Sequence, residues 1–229
     1  MKKKLLTVLL IEDHPIIIEA YRQGIKLFEE TNLGYLFNIH TATNCDEALE
    51  SIKRFNTNNK KVDIIFLDIK IPPSKTNPQI KSGEDIGKRV RIDLPESKII
   101  IATMITGYYV INSIFKTLNP EGFLIKNDIT HEEIIFTLEK VCTNNIYYSK
   151  TVMNSIQKKM NNDFEIEDLD RHILEELSLG AKTNEIDKFM ALSRSSINRR
   201  KIKLKILLDL DENASDRELV LRAKQIGII

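Results

Sequence analysis

Through residue 145, short runs of nearly continuous apolar residues alternate with stretches whose apolar positions recur at helical spacing. Leu5–Ile11, Val62–Leu67, Lys98–Thr103 and Gly122–Ile125 are strand-length and nearly continuous in apolar residues, as suits central strands of a parallel sheet covered on both faces. Leu36–Ala42 alternates instead, as an edge strand does. Amphipathic stretches at His14–Glu30, Asp46–Phe55, Glu84–Ile92, Tyr109–Leu118 and Glu132–Cys142 predict helices. Asn44 is placed to cap the second of them. Thr130 with Glu133 reads as a capping box for the fifth. Asn119-Pro120 ends the fourth, because Asn tolerates a left-handed position and Pro cannot continue a helix. Five βα units in a row predict a doubly wound α/β domain with a five-stranded parallel sheet.

After Phe164 the strand pattern disappears. Leu169–Leu179, Thr183–Met190, Arg194–Leu208 and Ser215–Ile226 predict four helices, with Gly180 separating the first two. The polar, weakly helical stretch 149–163 reads as a linker. The expected division is therefore 1–148, a linker at 149–163, and a small all-α domain at 164–229.

Composition narrows the class without naming a function. The chain has 229 residues, 42% hydrophobic and 29% charged, an ordinary globular balance. No apolar run is long enough for a membrane span. Lys2–Lys4 followed by Leu5–Ile11 has the outline of a signal peptide, but Glu12, Asp13 and His14 follow at once with no small-residue cleavage site. Cys45 and Cys142 form no CxxC pair, so neither a zinc site nor a disulfide framework is indicated. A protein of the reducing cytoplasm, without membrane contact, is the expectation.

The chemistry gathers at the strand ends. In an open parallel sheet, ligands sit at the carboxyl ends of the strands. Those ends carry Glu12-Asp13, Asp68, Thr103 and Lys126. Three converging carboxylates repel one another, and a hard divalent cation such as Mg²⁺ neutralises them. A carboxylate beside that cation can attack phosphorus, with a hydroxyl and an ammonium binding the phosphoryl oxygens.

The motifs IEDHP at 11–15, FLDIKIP at 66–72, IIIATM at 99–104 and GFLIKND at 122–128 resemble the receiver domain of bacterial two-component response regulators, a flavodoxin-like fold. The resemblance implies Asp68 as phospho-acceptor. It implies Mg²⁺ held by Glu12, Asp13, Asp68 and the backbone carbonyl of Lys70. Thr103 and Lys126 match the switch hydroxyl and the lysine of that family. Phe123 falls where receivers carry an aromatic switch, and it equally suits the core. A longer loop than usual, Pro73–Ser82, lies beside the site.

In the helical part, 12 Lys+Arg face 13 Asp+Glu over residues 164–229, yet Ser193–Lys205 holds Arg194, Arg199, Arg200, Lys201, Lys203 and Lys205 with no acid. That concentration suits nucleic acid. Ile197, Leu204 and Leu208 define a buried stripe, and Ser195, Asn198, Arg199, Ile202 and Lys203 lie opposite it. Arg for guanine, Asn for adenine and Ile for a thymine methyl are major-groove chemistry. Thr183–Ile186, Ser195–Ile197 and the run from Arg222 to Ile229 resemble the LuxR/NarL-type helix-turn-helix, which implies contacts from Thr183, Arg194 and Lys205 as well. Arg200 and Lys201 depart from that pattern.

Together these resemblances imply a response regulator that is not itself an enzyme. A partner histidine kinase would phosphorylate it, and it would bind double-stranded DNA as a homodimer to regulate transcription. Two rivals stand beside this reading. One is a receiver whose helices bind protein. The other is an aspartate-dependent phosphotransferase of the haloacid-dehalogenase type, in which Lys70 would occupy the place of the second acid.

Overall fold

The computed structural model describes residues 3–31, 34–160, 166–226 and 228–229, without the side chains of residues 108, 109 and 158–160. The chain divides into two compact units, residues 1–104 with 115–152 and residues 105–114 with 153–229.

The first unit is built on a parallel sheet of order β2-β1-β3-β4-β5-β6. Its strands are β1 (Lys4–Ile11), β2 (Tyr35–Ala42), β3 (Ile64–Leu67), β4 (Lys98–Thr103), β5 (Gly122–Ile125) and β6 (Tyr147–Tyr148). Helices α1 (Pro15–Thr31), α2 (Cys45–Thr57), α3 (Gly83–Asp93), α4 (Tyr108–Leu118) and α5 (His131–Cys142) lie between them. The sheet thus has six strands and not five. The added strand is two residues long, too short to show any period. It is held by parallel pairing of Gly122 with Tyr147 and Phe123 with Tyr148.

Alternate strand residues face opposite layers. Val8, Leu10, Ile64, Phe66, Ile100 and Leu124 pack with Tyr21, Ile25 and Phe28 of α1 and Ile134, Leu138 and Val141 of α5. Leu9, Ile11, Ile65, Leu67, Ile99 and Ile101 are buried too, which is why these strands read as unbroken apolar runs.

Local signals set the helix ends. Asn44 accepts the Glu47 N–H at 3.0 Å. Asn119 adopts φ 43° where α4 stops. Thr130 accepts the Glu133 N–H at 3.2 Å, but the expected capping box is only half made. The Glu133 carboxylate accepts the Tyr147 hydroxyl at 2.8 Å instead, because β6 brings that phenol alongside α5. Both edges of the sheet are blunted. At β2 the Phe37 N–H donates to Glu29 of α1 at 2.5 Å, and at the other side β6 is short.

The stretch expected to be a linker is folded over most of its length: Tyr148 ends β6 and Lys150–Met160 form α6. Its apolar Val152 is fully buried, which gives the helix a packed side despite its polar composition. Residues 161–163 lie outside the described residues.

The second unit holds α7 (Asp168–Ser178), α8 (Thr183–Phe189), α9 (Arg194–Leu207) and α10 (Asp216–Gln225). Ile173, Leu174, Ile186, Ile197, Leu204, Leu208, Leu219 and Ala223 form its core. Gly180 takes φ 93°, ending α7 in a conformation that costs other residues strain. Ser193 caps α9 by accepting the Ser196 N–H at 3.2 Å. Ser215 and Glu218 make a full capping box on α10.

Candidate functional site: a strand-end carboxylate cluster and a basic helix

Register delivers the acidic residues to one rim. Ile11 pairs with Leu67, and the Asp68 N–H continues the ladder onto the Ile11 carbonyl at 2.9 Å. Thr103 pairs with Ile125, so the next residue, Lys126, emerges at the same level. Glu12, Asp68, Thr103 and Lys126 are all buried, while Asp13 is half-buried.

Lys126 is the electrostatic centre. Its Nζ lies 2.6 Å from Asp68 Oδ2, 2.8 Å from Glu12 Oε1 and 2.7 Å from Glu12 Oε2. A single ammonium thus compensates two carboxylates that would otherwise be buried against each other. Asp68 Oδ1 accepts the Lys70 N–H at 3.0 Å. The Lys70 side chain itself is exposed, and its carbonyl is the group expected to face a cation. Gly83 lies so close behind the acceptor that a Cβ there would stand 1.8 Å from the Asp68 carbonyl oxygen, so only glycine allows α3 to start at this point.

Ligand atoms of Glu12, Asp13, His14 and Asp68 all lie within 4.8 Å of one another. His14 adds a member that sequence reasoning left out, although it stands inside the IEDHP motif. Its Nδ1 is 3.0 Å from Glu12 Oε1 and 2.8 Å from Asp13 Oδ1. The hydrogen bond to Glu12, and then the charge of Asp13, raise its pKa. The donor set fits Mg²⁺: three carboxylates from two strand ends supply hard oxygens, and their ligand atoms lie close together. Phe123 is fully buried, its ring 5.3 Å from that of Phe115.

The loop Pro73–Ser82 is anchored. Asp46 of α2 accepts the Ser74 hydroxyl at 2.5 Å, the Lys75 N–H at 2.9 Å and the Thr76 hydroxyl at 2.7 Å. These three donors hold the Asp46 carboxyl at about 2, the Ser74 hydroxyl contributing most.

The basic helix α9 is arranged otherwise. Ser195, Asn198, Arg199 and Ile202 are exposed on one side, and Ile197, Leu204 and Leu208 are buried on the other. The remaining predicted contacts are engaged within the unit. Arg194 pairs with Asp187 of α8 at 2.9 Å. Arg200 pairs with the fully buried Asp170 at 2.8 Å and with Glu167 at 2.9 Å. Those acids raise the Arg200 pKa, and Arg200 in turn lowers that of Glu167. Lys201, which departs from the helix-turn-helix pattern, does not reach the surface. It is buried, donating to Thr183 Oγ1 at 2.9 Å and Asp216 Oδ2 at 2.6 Å. Thr183 is thereby turned to a structural contact. Lys205 is buried as well, donating to the Glu212 carbonyl at 2.9 Å rather than facing outward. Lys203 stays partly exposed, 3.7 Å from Glu167. Arg199 makes no ion pair among the described residues.

No helix among the described residues is long and apolar enough to cross a membrane. No family model matches the chain. No curated protein matches it either. Solved structures do. The chain is similar to a structure of two RcsB dimers bound to two parallel DNAs, at 17% identity and TM-score 0.64, covering 97% of this chain and 99% of that one. RcsB from Salmonella enterica serovar Typhimurium, bound to promoter P1flhDC in the presence of the phosphomimetic BeF3−, aligns at 16% identity and TM-score 0.64 over 96% and 98% of the two chains. A LuxR-family two-component response regulator from Aurantimonas sp. SI85-9A1 aligns at 20% identity and TM-score 0.53 over 69% of this chain and 99% of that chain. From end to end, the chain has the fold of a response regulator with a DNA-binding output domain.

Proposed function

We propose that the chain is a two-component response regulator: a phosphoryl-accepting receiver coupled to a helical unit that binds double-stranded DNA and regulates transcription. The observation that carries this reading is the Lys126 ammonium set between Asp68 and Glu12 at the strand ends, within a four-residue cluster of ligand atoms. Asp68 is the acceptor. One of its carboxylate oxygens bonds to phosphorus as the bond from phosphorus to the donor's leaving group breaks, the donor being a histidine kinase or a small acyl phosphate. The reaction consumes one phosphoryl group per chain, so the protein acts as a signalling partner and not as an enzyme. Glu12, Asp13, Asp68 and the Lys70 carbonyl would hold Mg²⁺, which when bound neutralises charge on the phosphoryl oxygens. Lys126 and Thr103 bind those oxygens from the protein side. Thr103, drawn toward them, leaves space that Phe123 follows, and this shifts an existing equilibrium on the helical face. A cytoplasmic homodimer presenting Ser195, Asn198, Arg199 and Ile202 to the major groove completes the reading.

The test is intact-mass spectrometry after incubation with an acyl phosphate and Mg²⁺. Wild type gains one phosphoryl group, and Asp68→Ala gains none. A Mg²⁺-dependent adduct that persists in the variant defeats the assignment.

A protein-binding output is a second reading, favoured by the engagement of Arg194, Arg200, Lys201 and Lys205 inside the unit. Salt-dependent affinity for a selected duplex over a scrambled one separates the two, since a protein-binding helix has no counterions to release.

A further inference from the structure

His14 follows the two acids of β1's end and opens α1. Its carbonyl accepts the N–H groups of Ile17 and Ile18 at 3.0 and 3.1 Å, and Pro15 takes the first helical position. Proline there has its φ set in advance and restricts the residue before it, so the helix start fixes the His14 backbone. The side chain is 64% exposed whereas Glu12 and Asp68 are buried, which puts the imidazole at the mouth of the cluster. Its Nδ1 lies 3.0 Å from Glu12 Oε1 and 2.8 Å from Asp13 Oδ1. An oxygen of Asp68 belongs to the same group of ligand atoms, all within 4.8 Å of one another.

These spacings are those of a coordination shell. Around a small divalent cation with bonds of about 2.1 Å, neighbouring octahedral ligands stand about 3.0 Å apart. Nδ1 already has that relation to one oxygen from each of two acids. Carboxylate oxygens only accept, so Nδ1 carries a proton wherever it faces them without a cation. A cation shared with both acids takes that proton's place. The ring then ends neutral, with its one proton on Nε2 and any other released to solvent, and Nδ1 offers a lone pair. Carboxylates alone suit Mg²⁺, whereas an imidazole nitrogen favours the later first-row cations. We infer that His14 is a further metal ligand of the cluster, through Nδ1, and makes the site take a borderline transition cation such as Co²⁺ more tightly than Mg²⁺. The inference rests on the proposed function for the presence of a cation, and adds to it a fourth side chain and the choice of ion.

The experiment titrates the full chain with Mg²⁺ and with Co²⁺, for wild type, His14→Gln and Asp13→Asn. Amide resonances follow the first ion, and visible absorption with paramagnetically shifted ring protons follows the second. Glutamine keeps a donor for the two carboxylates but replaces the nitrogen ligand by an amide. Losing a ligand should weaken binding at least as much as losing an outer partner, so Co²⁺ affinity should fall about tenfold or more in His14→Gln while Mg²⁺ affinity changes less than about threefold. A shifted imidazole N–H resonance should be present in Co²⁺-loaded wild type and absent from that variant. Wild-type Co²⁺ affinity in His14→Gln overturns the inference, as does a wild type that holds Mg²⁺ at least as tightly as Co²⁺. An equal loss for both ions also overturns it and leaves His14 a positioning residue. Asp13→Asn should weaken both ions; if it binds both as wild type does, the site reading itself fails.

Discussion

The strand-end cluster and helix α9 are both concentrations of charge, and they resolve it in opposite ways. At the strand ends, residues distant in sequence converge, with one lysine serving two carboxylates and Asp13 contacted by His14 alone among the ion pairs of the described residues. On α9 the charges are adjacent in sequence but dispersed in space. Acids and carbonyls from α7, α8 and the segments around α10 take up Arg194, Arg200, Lys201 and Lys205. The lesson is that like charge along a chain measures potential only where the fold supplies no partners. The acidic set keeps unmet chemistry because it is gathered by topology. The basic set retains chiefly Arg199, flanked by neutral Asn198 and Ile202 on the exposed side.

Removing the hinge of each region shows how far the contrast holds. Lys126→Met should produce the largest effect, leaving Glu12 and Asp68 buried against each other. Breaking such a buried pair costs about 3–5 kcal/mol, and added Mg²⁺ should recover much of it. Calorimetry with and without Mg²⁺ reads both numbers, and an unchanged melting temperature would mean the lysine is dispensable for charge balance.

Arg200→Ala comes next. It strands the fully buried Asp170, though Arg200 is partly solvated and the Glu167 half of its network is exposed, so about 2–3 kcal/mol is expected. Arg199→Ala should leave melting unchanged and lower discrimination at one base pair by about 1–3 kcal/mol. Fluorescence anisotropy on duplexes differing at single positions measures it. In the same assay Lys203→Ala should reduce the salt slope by about one unit. Lys205→Ala, buried on the Glu212 carbonyl, should lower stability and leave the slope alone; equal slopes for the two variants would erase the distinction drawn here.

The smallest effect belongs to Asp46. A folded-state pKa of about 2, below the ordinary aspartate value of 3.8, means its contribution is complete above 3.8 and is lost as pH falls toward 2. Amide exchange at Lys75 and Thr76 should therefore be protected at neutral pH and accelerate in that acid window. Asp46→Asn should show fast exchange at every pH.

Much of this was legible before any coordinates. Central strands buried on both faces write themselves as apolar runs, and the residue after each run is necessarily at the rim. What escaped depends on partners outside the local window. A two-residue β6 has no period, and Tyr147 then draws Glu133 away from its capping box. The segment 150–160 is polar, but Val152 finds a buried place. Helical spacing could assign Ile197 and Leu204 to the core, since apolar residues follow the stripe. It could not foresee that Lys201 and Lys205 would be buried with them, because that required Asp216, Thr183 and the Glu212 carbonyl. His14 escaped for the same reason: its significance lies in the Glu12 and Asp13 carboxylates that stand opposite.

The treatment of the sheet's two edges carries a consequence for assembly. An exposed strand margin is a template on which further chains can be laid down, the common route to fibrous deposits. Here Glu29 occupies a margin donor on one side, and on the other the margin is only two residues long. Pairing of a further strand at either margin is thereby made less favourable.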